Sequence, residues 1–303
     1  MAAERNFNQI SCGWNVFISV IMILVSLLIV LPLILVVIIS FTSPESIVAN
    51  GYSFFPSEFS LAAYKNLAKT GTQIINSYKV TIFYSLVGTF LSLFIMSMFA
   101  YVLAQKRFPI RRFLTIYTFI TMLFSGGLVP SYMLNVRYLH LDDTIWVLIL
   151  PGLVNAFHVI ILRTFIQTSI PDSLFEAAII DGATDYAIYF KIVLPLSKAG
   201  LATIGLFGLV ARWNNWFTGM LYIDNPKLVP LQTLLQKIQR NIEFIKMNAE
   251  IADTAGGLEL LRSMPTESTR MAITVIATVP ILFAYPFFQR YFIKGLTIGS
   301  VKG

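Results

Sequence analysis

The residues most able to do chemistry form a short polar stretch in an otherwise apolar chain. This stretch, EAAIIDGATDYAIYFKIVLP, covers residues 176–195 and holds Glu176, Asp181, Asp185 and Lys191. Long apolar runs precede and follow it. Charges in such a position either begin and end helices or contact a partner.

Helix start and stop signals account for most of these charges. Pro171 can open a helix, and Ser173 with Glu176 matches the S-x-x-E capping box, which satisfies N–H groups of the first turn. Asp181–Gly182 predicts the end of that helix, because glycine readily adopts the left-handed conformation. Thr184 predicts the start of a second short helix. The pattern therefore predicts a helix, a glycine turn and a second helix.

Apolar side chains are interleaved with these charges, and Pro195 breaks or restarts the chain before the next apolar run. These apolar side chains can pack on the protein's own spans or dock a partner, and the residues alone favour neither use. The set comprises Leu174, Phe175, Ile179, Ile180, Tyr189, Phe190 and Ile192.

A second polar set lies inside an apolar run. Arg212 near the middle of a span costs about 2.5 to 3.5 kcal/mol, so it is expected to face the bundle interior or water. Guanidinium and amide groups donate hydrogen bonds to hydroxyls, and indole stacks on sugars. The helix face that carries Arg212 therefore suits a sugar pathway, to which we also assign Tyr132. The alternative is that Arg212 pairs with a carbonyl or an acid on a neighbouring helix and only locks the bundle. At about 100° per residue, one helix face carries Gly208, Arg212, Asn215, Trp216 and Gly219.

The elements that must position these residues are apolar segments. The 303-residue chain is 56% hydrophobic and 12% charged, whereas soluble domains are about a quarter charged. It is therefore predicted to be an all-α integral membrane protein, because backbone groups in lipid must pair within a helix. The six predicted spans are 14–41, 80–104, 113–134, 144–165, 200–222 and 271–288.

Three of these predictions concern single spans. The first span is expected to be retained, because its apolar run is too long for a signal peptide. The only cysteine, Cys12, precedes the run instead of ending it, which argues against a lipoprotein. The second carries the small residues Ser85, Gly88, Thr89 and Ser92, which predict close helix packing. In the third, SGGLVP is expected to kink or unwind the outer half.

Basic residues predict the orientation. The short loop QKRFPIRR, residues 105–112, holds four basic residues and no acid, which is typical of a cytoplasmic loop. Six alternating spans then put both termini in the cytoplasm. The net charge of +7 is attributed to this orientation and not to nucleic-acid binding.

The loop 223–270 is predicted to lie outside. Its middle, LQTLLQKIQRNIEFIKMNAEIA, has apolar residues at helical spacing and predicts an amphipathic helix. Gly256–Gly257 is expected to break that helix.

The polar stretch resembles the motif of inner-membrane permease subunits of ATP-binding-cassette (ABC) importers: EAA, three residues, Gly, nine residues, Ile, one residue, Leu-Pro. All seven defined positions match. The tail GLTIGSVKG and the segment WNNWF, residues 213–217, are similar to the maltodextrin-type permeases. SGGLVPSY, residues 125–132, resembles the complex-oligosaccharide subgroup found beside lipoprotein-type binding proteins.

The resemblance implies a type I importer permease with an N-terminus at 1–13, a permease domain at 14–293 and a tail at 294–303. The cytoplasmic loop 167–198, the coupling loop, would dock on a separate ATPase and carry its motion into the spans. The tail residues Gly295, Gly299 and Lys302 would reach the ATPase interface. The residues carried over to the docking role are Glu176, Ala177, Ala178, Ile179, Asp181, Gly182, Ala183, Ile192, Leu194 and Pro195.

The implied partners are a second homologous permease subunit, two ATPase subunits and an external binding lipoprotein, in the plasma membrane of a bacterium. The chain has no G-x-x-x-x-G-K-[ST] phosphate loop, so ATP and Mg²⁺ are expected in the ATPase and no cofactor in this chain. The chain itself is not expected to be an enzyme.

The expected cargo is an oligosaccharide of unspecified linkage, length and charge. Peptides or amino acids remain an alternative, because these importers share the motif. An ion-coupled carrier is disfavoured, because the six predicted spans contain no acid. His140 and His158 are isolated, so no metal site is expected.

Overall fold

The residues that the computed structural model describes, 12–69, 71–247 and 266–300, are mostly helical. Within these ranges the only strand-like pairing is an isolated bridge between Thr42 and Phe59. The helices are α1 (Cys12–Ser40), α2 (Pro44–Asn50), α3 (Ala62–Lys69), α4 (Gly71–Ala104), α5 (Arg111–Leu123), α6 (Leu128–Met133), α7 (Trp146–Ile149), α8 (Ala156–Ser169), α9 (Asp172–Ile180), α10 (Asp185–Ile188), α11 (Leu194–Leu196), α12 (Lys198–Trp213), α13 (Phe217–Tyr222), α14 (Leu231–Met247) and α15 (Glu267–Ser300).

The described chain forms two compact units, one of residues 12–69 and 266–276, the other of residues 71–247 and 277–300. In the first unit, α1 exposes nearly all of its apolar side chains. An apolar helix whose side chains are exposed in this way is suited to lipid. Its C-terminal end is fixed by Ser40, whose hydroxyl lies 2.9 Å from the Tyr64 hydroxyl, and by Phe41, which stacks on Tyr64.

In the second unit α4 is the central helix, in contact with α5, α8, α12 and α14. The small residues predicted to allow close packing are all buried on it, which confirms that prediction. Hydroxyls on the same helix join neighbouring elements: Ser92 donates to the Leu153 carbonyl at 2.6 Å, and Thr81 accepts from the Leu231 N–H at 2.8 Å.

Two helices, Gly13–Ser40 and Gly71–Ala104, are each long and apolar enough to cross a membrane unbroken. Other predicted spans are bent. Helices α5 and α6 meet at 110°, with Gly127 at a φ of 87°, so the predicted kink at SGGLVP is confirmed. The segment Trp146–Gly152 meets α8 at 53°.

The fifth predicted span is wrong as a continuous helix. Helix α12 ends at Trp213, and α13 begins at Phe217. The reason lies in Asn215, whose side-chain oxygen accepts the Thr218 N–H at 3.1 Å while its amide donates to the Thr218 hydroxyl. Asparagine favours such local bonds over a helix interior. A rotation of about 100° per residue therefore does not hold beyond Trp213, and the predicted placement of Asn215, Trp216 and Gly219 on the helix face of Arg212 is wrong.

The C-terminal regions agree with the predicted helices where the structure describes them. Helix α14 covers most of the predicted amphipathic segment, and α15 contains the sixth predicted span together with Gly295 and Gly299. Gly256–Gly257 and Lys302 lie outside the described residues.

Candidate functional site

The coupling loop folds as a helix, a glycine turn and a second helix, as predicted. Helix α9 ends at Ile180, and Gly182 follows with a φ of 75°, in the left-handed region that glycine tolerates. Thr184 begins α10, and its hydroxyl accepts the Ala187 N–H at 3.3 Å. Beyond a π-helical segment, Tyr189–Val193, the chain bends by 77° where α11 meets α12.

The predicted capping box is wrong. Pro171 occupies the N-cap with extended backbone, φ −61° and ψ 142°, and no side chain caps the helix. Ser173 is therefore the second helical residue instead of the cap. Proline fits this entry because its φ is already set, and Asp172 places a negative charge in the first turn. Glu176 lies within α9, exposed, so its carboxylate is free of any capping role.

The two sides of the loop have different surroundings. Ala178, Ile188 and Tyr189 are buried in a core cluster with α4, α8 and α12. Ile180 is 85% exposed and Tyr186 71% exposed, so apolar surface also faces outward. Of the motif residues, those exposed are Glu176, Ala177, Ile179, Asp181, Gly182 and Pro195, and those half-buried are Ala183, Ile192 and Leu194.

Ion pairs that the sequence reasoning missed attach the loop to the preceding basic loop. Lys106 pairs with Asp172, and Arg107 with Asp185. The available signal was charge: the charged residues of the loop 105–112 are all basic, and α9 and α10 each begin with an aspartate.

Hydroxyl contacts strengthen the same attachment. Tyr101 donates to the Asp185 carboxylate at 3.3 Å, and the Ser97 and Tyr189 hydroxyls lie 2.7 Å apart. Burial raises the pKa of Tyr189, so this phenol stays protonated and able to donate near neutral pH. A cavity of about 520 Å³ lies beside these contacts, between Tyr101, Arg107 and Tyr186.

A second site surrounds Arg212. A cavity of about 330 Å³, the Arg212 cavity, is lined by α4, α8, α12 and the break around Asn215. The guanidinium donates from one Nη to the Gly152 carbonyl at 2.8 Å and from the other to the Gly208 carbonyl at 3.3 Å. The Tyr84 hydroxyl donates to the Arg212 carbonyl. Arg212 thus both pairs with a carbonyl on a neighbouring element and lines a cavity.

Among the predicted pathway residues, the cavity brings together Gly208, Arg212 and Asn215. Trp216 lies against Arg240, whose guanidinium carbon is 6.0 Å from the ring centroid. Gly219 is buried beside Pro230, and Tyr132 stacks on Tyr222 with centroids 5.5 Å apart.

Sequence reasoning missed several polar residues of this cavity. Two of them, Thr89 and Ser92, belong to the small-residue pattern of α4, whose spacing predicted packing alone. Near the bend before α8, the Asn155 side chain caps that helix by accepting the His158 N–H at 3.1 Å. The missed lining residues are Thr89, Ser92, Asn155, His158 and Thr218.

Comparisons with known proteins agree with this arrangement. The family model described as "Binding-protein-dependent transport system inner membrane component" matches residues 96–298. The polygalacturonan/rhamnogalacturonan transport system permease protein YtcP of Bacillus subtilis (strain 168) is 41% identical over 283 residues, which are 93% of this chain and 96% of YtcP. The arabinooligosaccharides transport system permease protein AraQ of Halalkalibacterium halodurans is 29% identical, across 90% of this chain and 91% of AraQ.

A solved structure shares the fold. It is described as the crystal structure of a bacterial ABC transporter involved in the import of the acidic polysaccharide alginate. The TM-score is 0.79 at 29% identity, and the match covers 94% of this chain and 99% of the other. With the coupling-loop motif folded as a helix, turn and helix, and the family model matched over most of the chain, the protein belongs to the family of inner-membrane permease components of binding-protein-dependent transport systems.

Proposed function

We propose that the chain forms half of the translocation pathway of an ATP-driven importer and receives an oligosaccharide from an external binding protein. The observation that carries this proposal is the coupling loop. Its motif folds as a helix, turn and helix that leaves Ile180 and Tyr186 exposed. Exposed apolar side chains on a short rigid element suit a protein partner. In this proposal the partner is a separate ATPase subunit that binds ATP and Mg²⁺, and the chain itself binds no cofactor.

The proposed topology has six spans with both termini in the cytoplasm of a bacterial cell. Support comes from the ion pairs of Lys106 with Asp172 and of Arg107 with Asp185. They join the basic loop 105–112 to the coupling loop, so both loops belong to one end of the second unit. Basic residues favour the cytoplasmic side for that end.

The proposed assembly contains a second permease subunit, two ATPase subunits and a binding lipoprotein. A second permease would supply the other wall of the pathway and cover apolar surface that this chain leaves exposed. The outward apolar faces of α1 and α5 are consistent with contacts to lipid or to that subunit.

The proposed cargo is an oligosaccharide. YtcP is named for polygalacturonan and rhamnogalacturonan, AraQ for arabinooligosaccharides, and the solved transporter for alginate. The amide, hydroxyl and guanidinium groups of the Arg212 cavity are donors of the kind that bind sugar hydroxyls.

Uptake into proteoliposomes tests this proposal. The importer, reconstituted with its binding protein, is expected to accumulate labelled oligosaccharide when ATP is supplied on the ATPase side. An ionophore is expected to leave uptake unchanged. Uptake that survives ATP depletion and collapses with the ionophore would instead identify an ion-coupled carrier.

A further inference from the structure

We propose that Arg212 recognises a carboxylate of the cargo, so that its cavity selects uronate-bearing oligosaccharides over neutral ones. This inference rests on the proposed function as an oligosaccharide permease. It adds a specificity-determining residue and a chemical class of substrate.

No acidic residue among the described residues of the cavity wall balances the charge of Arg212. The described residues that line the Arg212 cavity include no aspartate or glutamate. The hydrogen bonds of the guanidinium go to two neutral carbonyls, those of Gly152 and Gly208. A guanidinium has five N–H donors, so several remain without a partner in the described chain. A half-buried cation is costly unless an anion pairs with it, and a carboxylate matches its planar fork with two parallel hydrogen bonds.

Neighbouring glycines leave the space that the Arg212 side chain occupies. A Cβ placed on Gly88 would lie 2.8 Å from Arg212 Nε, and one on Gly208 would lie 3.2 Å from an Nη. Two helices therefore keep glycine where the guanidinium lies. The side chain is held between α4 and α12 with part of its fork open to the cavity.

The same cavity wall carries a buried hydroxyl with no hydrogen-bond partner among the described residues. Thr89 is 8% exposed, and its Oγ1 has no hydrogen-bond partner among the described residues. A buried hydroxyl without a partner costs about 1 to 3 kcal/mol. A Cβ placed on Gly208 would lie 3.9 Å from this oxygen and 3.2 Å from the Arg212 Nη, so the two polar groups border one space. Thr89 and Arg212 both line the cavity, so a ligand inside it can offer an acceptor to each of them.

Another cation of the predicted spans lies outside this cavity. Arg163 donates from Nε to the Leu103 carbonyl at 3.3 Å and does not line the Arg212 cavity. It therefore provides a matched control for an arginine that only joins two helices.

The test compares two probes of equal length, an oligogalacturonate and its fully methyl-esterified form. Binding is measured on the importer in nanodiscs without the binding protein, so that the selectivity of the permease itself is read. The wild-type importer is expected to bind the free acid about ten- to hundredfold more tightly, the range of a charge-assisted hydrogen bond. Arg212→Gln is expected to remove that preference, and Arg163→Gln to keep it.

Two further variants keep the inference falsifiable when Arg212→Gln does not assemble. Arg212→Lys retains the charge and is expected to retain a reduced preference for the acid. Thr89→Val removes a hydroxyl that has no hydrogen-bond partner among the described residues. It is expected to reduce the ratio of the affinities for the free acid and the ester. The inference is overturned when the wild type binds both probes equally or binds neither. It is also overturned when Arg212→Gln keeps the preference for the free acid, or when Arg212→Lys does not retain a reduced preference. ATP-driven oligosaccharide uptake by the wild type would still support the proposed function in each case.

Discussion

The coupling loop and the Arg212 cavity place charge in opposite surroundings. In the loop the charges are exposed, and Ile180 on the same surface is exposed as well. In the cavity the charge of Arg212 is half-buried, held by carbonyls of two helices. The loop is suited to a water-facing protein partner, and the cavity to a ligand that brings its own negative charge.

The largest effect is expected at Gly182. It has a φ of 75°, and a Cβ there would meet nothing within 4 Å, so aspartate fits with about 1 to 2 kcal/mol of backbone strain. Gly182→Asp adds a charge to the proposed docking surface and is expected to abolish ATP-dependent uptake while the chain still inserts. Gly51 has a φ of 69°, equal space and a ψ of −160°, a conformation that strains any other residue, and it lies outside the loop. Gly51→Asp is therefore a stringent control for strain and added charge, and it is expected to keep uptake. Normal uptake by Gly182→Asp would remove the docking role from this turn.

Two isoleucines of the loop separate docking from folding. Ile188 is 1% exposed, and Ile188→Ala is expected to lower the free energy of unfolding by about 2 to 5 kcal/mol. Ile180 is 85% exposed, and Ile180→Ala is expected to change it by less than about 0.5 kcal/mol. Ile180→Ala is nevertheless expected to weaken binding of the ATPase about 5- to 30-fold, the equivalent of one or two kcal/mol. Thermal unfolding and ATPase titration measure the two effects, and unchanged ATPase binding would contradict the docking surface.

At the cavity, Gly88→Ala is expected to displace the guanidinium. The new Cβ would lie 2.8 Å from Arg212 Nε, and overpacking of this kind costs about 1 to 3 kcal/mol. Gly126 meets nothing within 4 Å and has no positive φ, so Gly126→Ala is the control and is expected to be nearly neutral. Equal thermal midpoints for both variants would show that Arg212 is not confined between the helices.

The smallest effect is expected at the exposed ion pair of Arg107 with Asp185. Arg107→Gln and Asp185→Asn, alone and together, form a double-mutant cycle with an expected coupling of about 0.2 to 1 kcal/mol. The coupling is expected to shrink in high salt, because ions screen exposed charges. A coupling well above this range would mean that the pair is a structural lock of the loop.

Local signals and tertiary packing explain what the sequence could and could not predict. The turn at Gly182 and the cap at Thr184 depend on residues adjacent in the chain, so spacing predicted both. Ser173 was wrongly predicted as the cap because serine and proline, which both mark helix starts, lie within three residues of each other. The helix begins after Pro171, whose backbone is extended.

The cavity depends on contacts between distant residues. Helix periodicity does not show that the Asn215 side chain bonds to Thr218 at the start of α13 instead of continuing α12. Asparagine is compatible with either position. The pairing of Arg212 with the Gly152 carbonyl joins positions 60 residues apart. The buried hydroxyl of Thr89 looked like part of a packing pattern, and only the fold places it beside the guanidinium.

Cross-linking between the coupling loop and the ATPase tests the central claim most directly. Cys12 is the only cysteine, so Cys12→Ser gives a background in which Ile180→Cys is the single thiol of the chain. Ile180→Cys is expected to cross-link to the ATPase subunit in the assembled importer. Phe124→Cys, which replaces a residue 74% exposed at the end of α5, is not expected to cross-link. Cross-linking at Phe124→Cys and none at Ile180→Cys would contradict the assignment of the coupling loop.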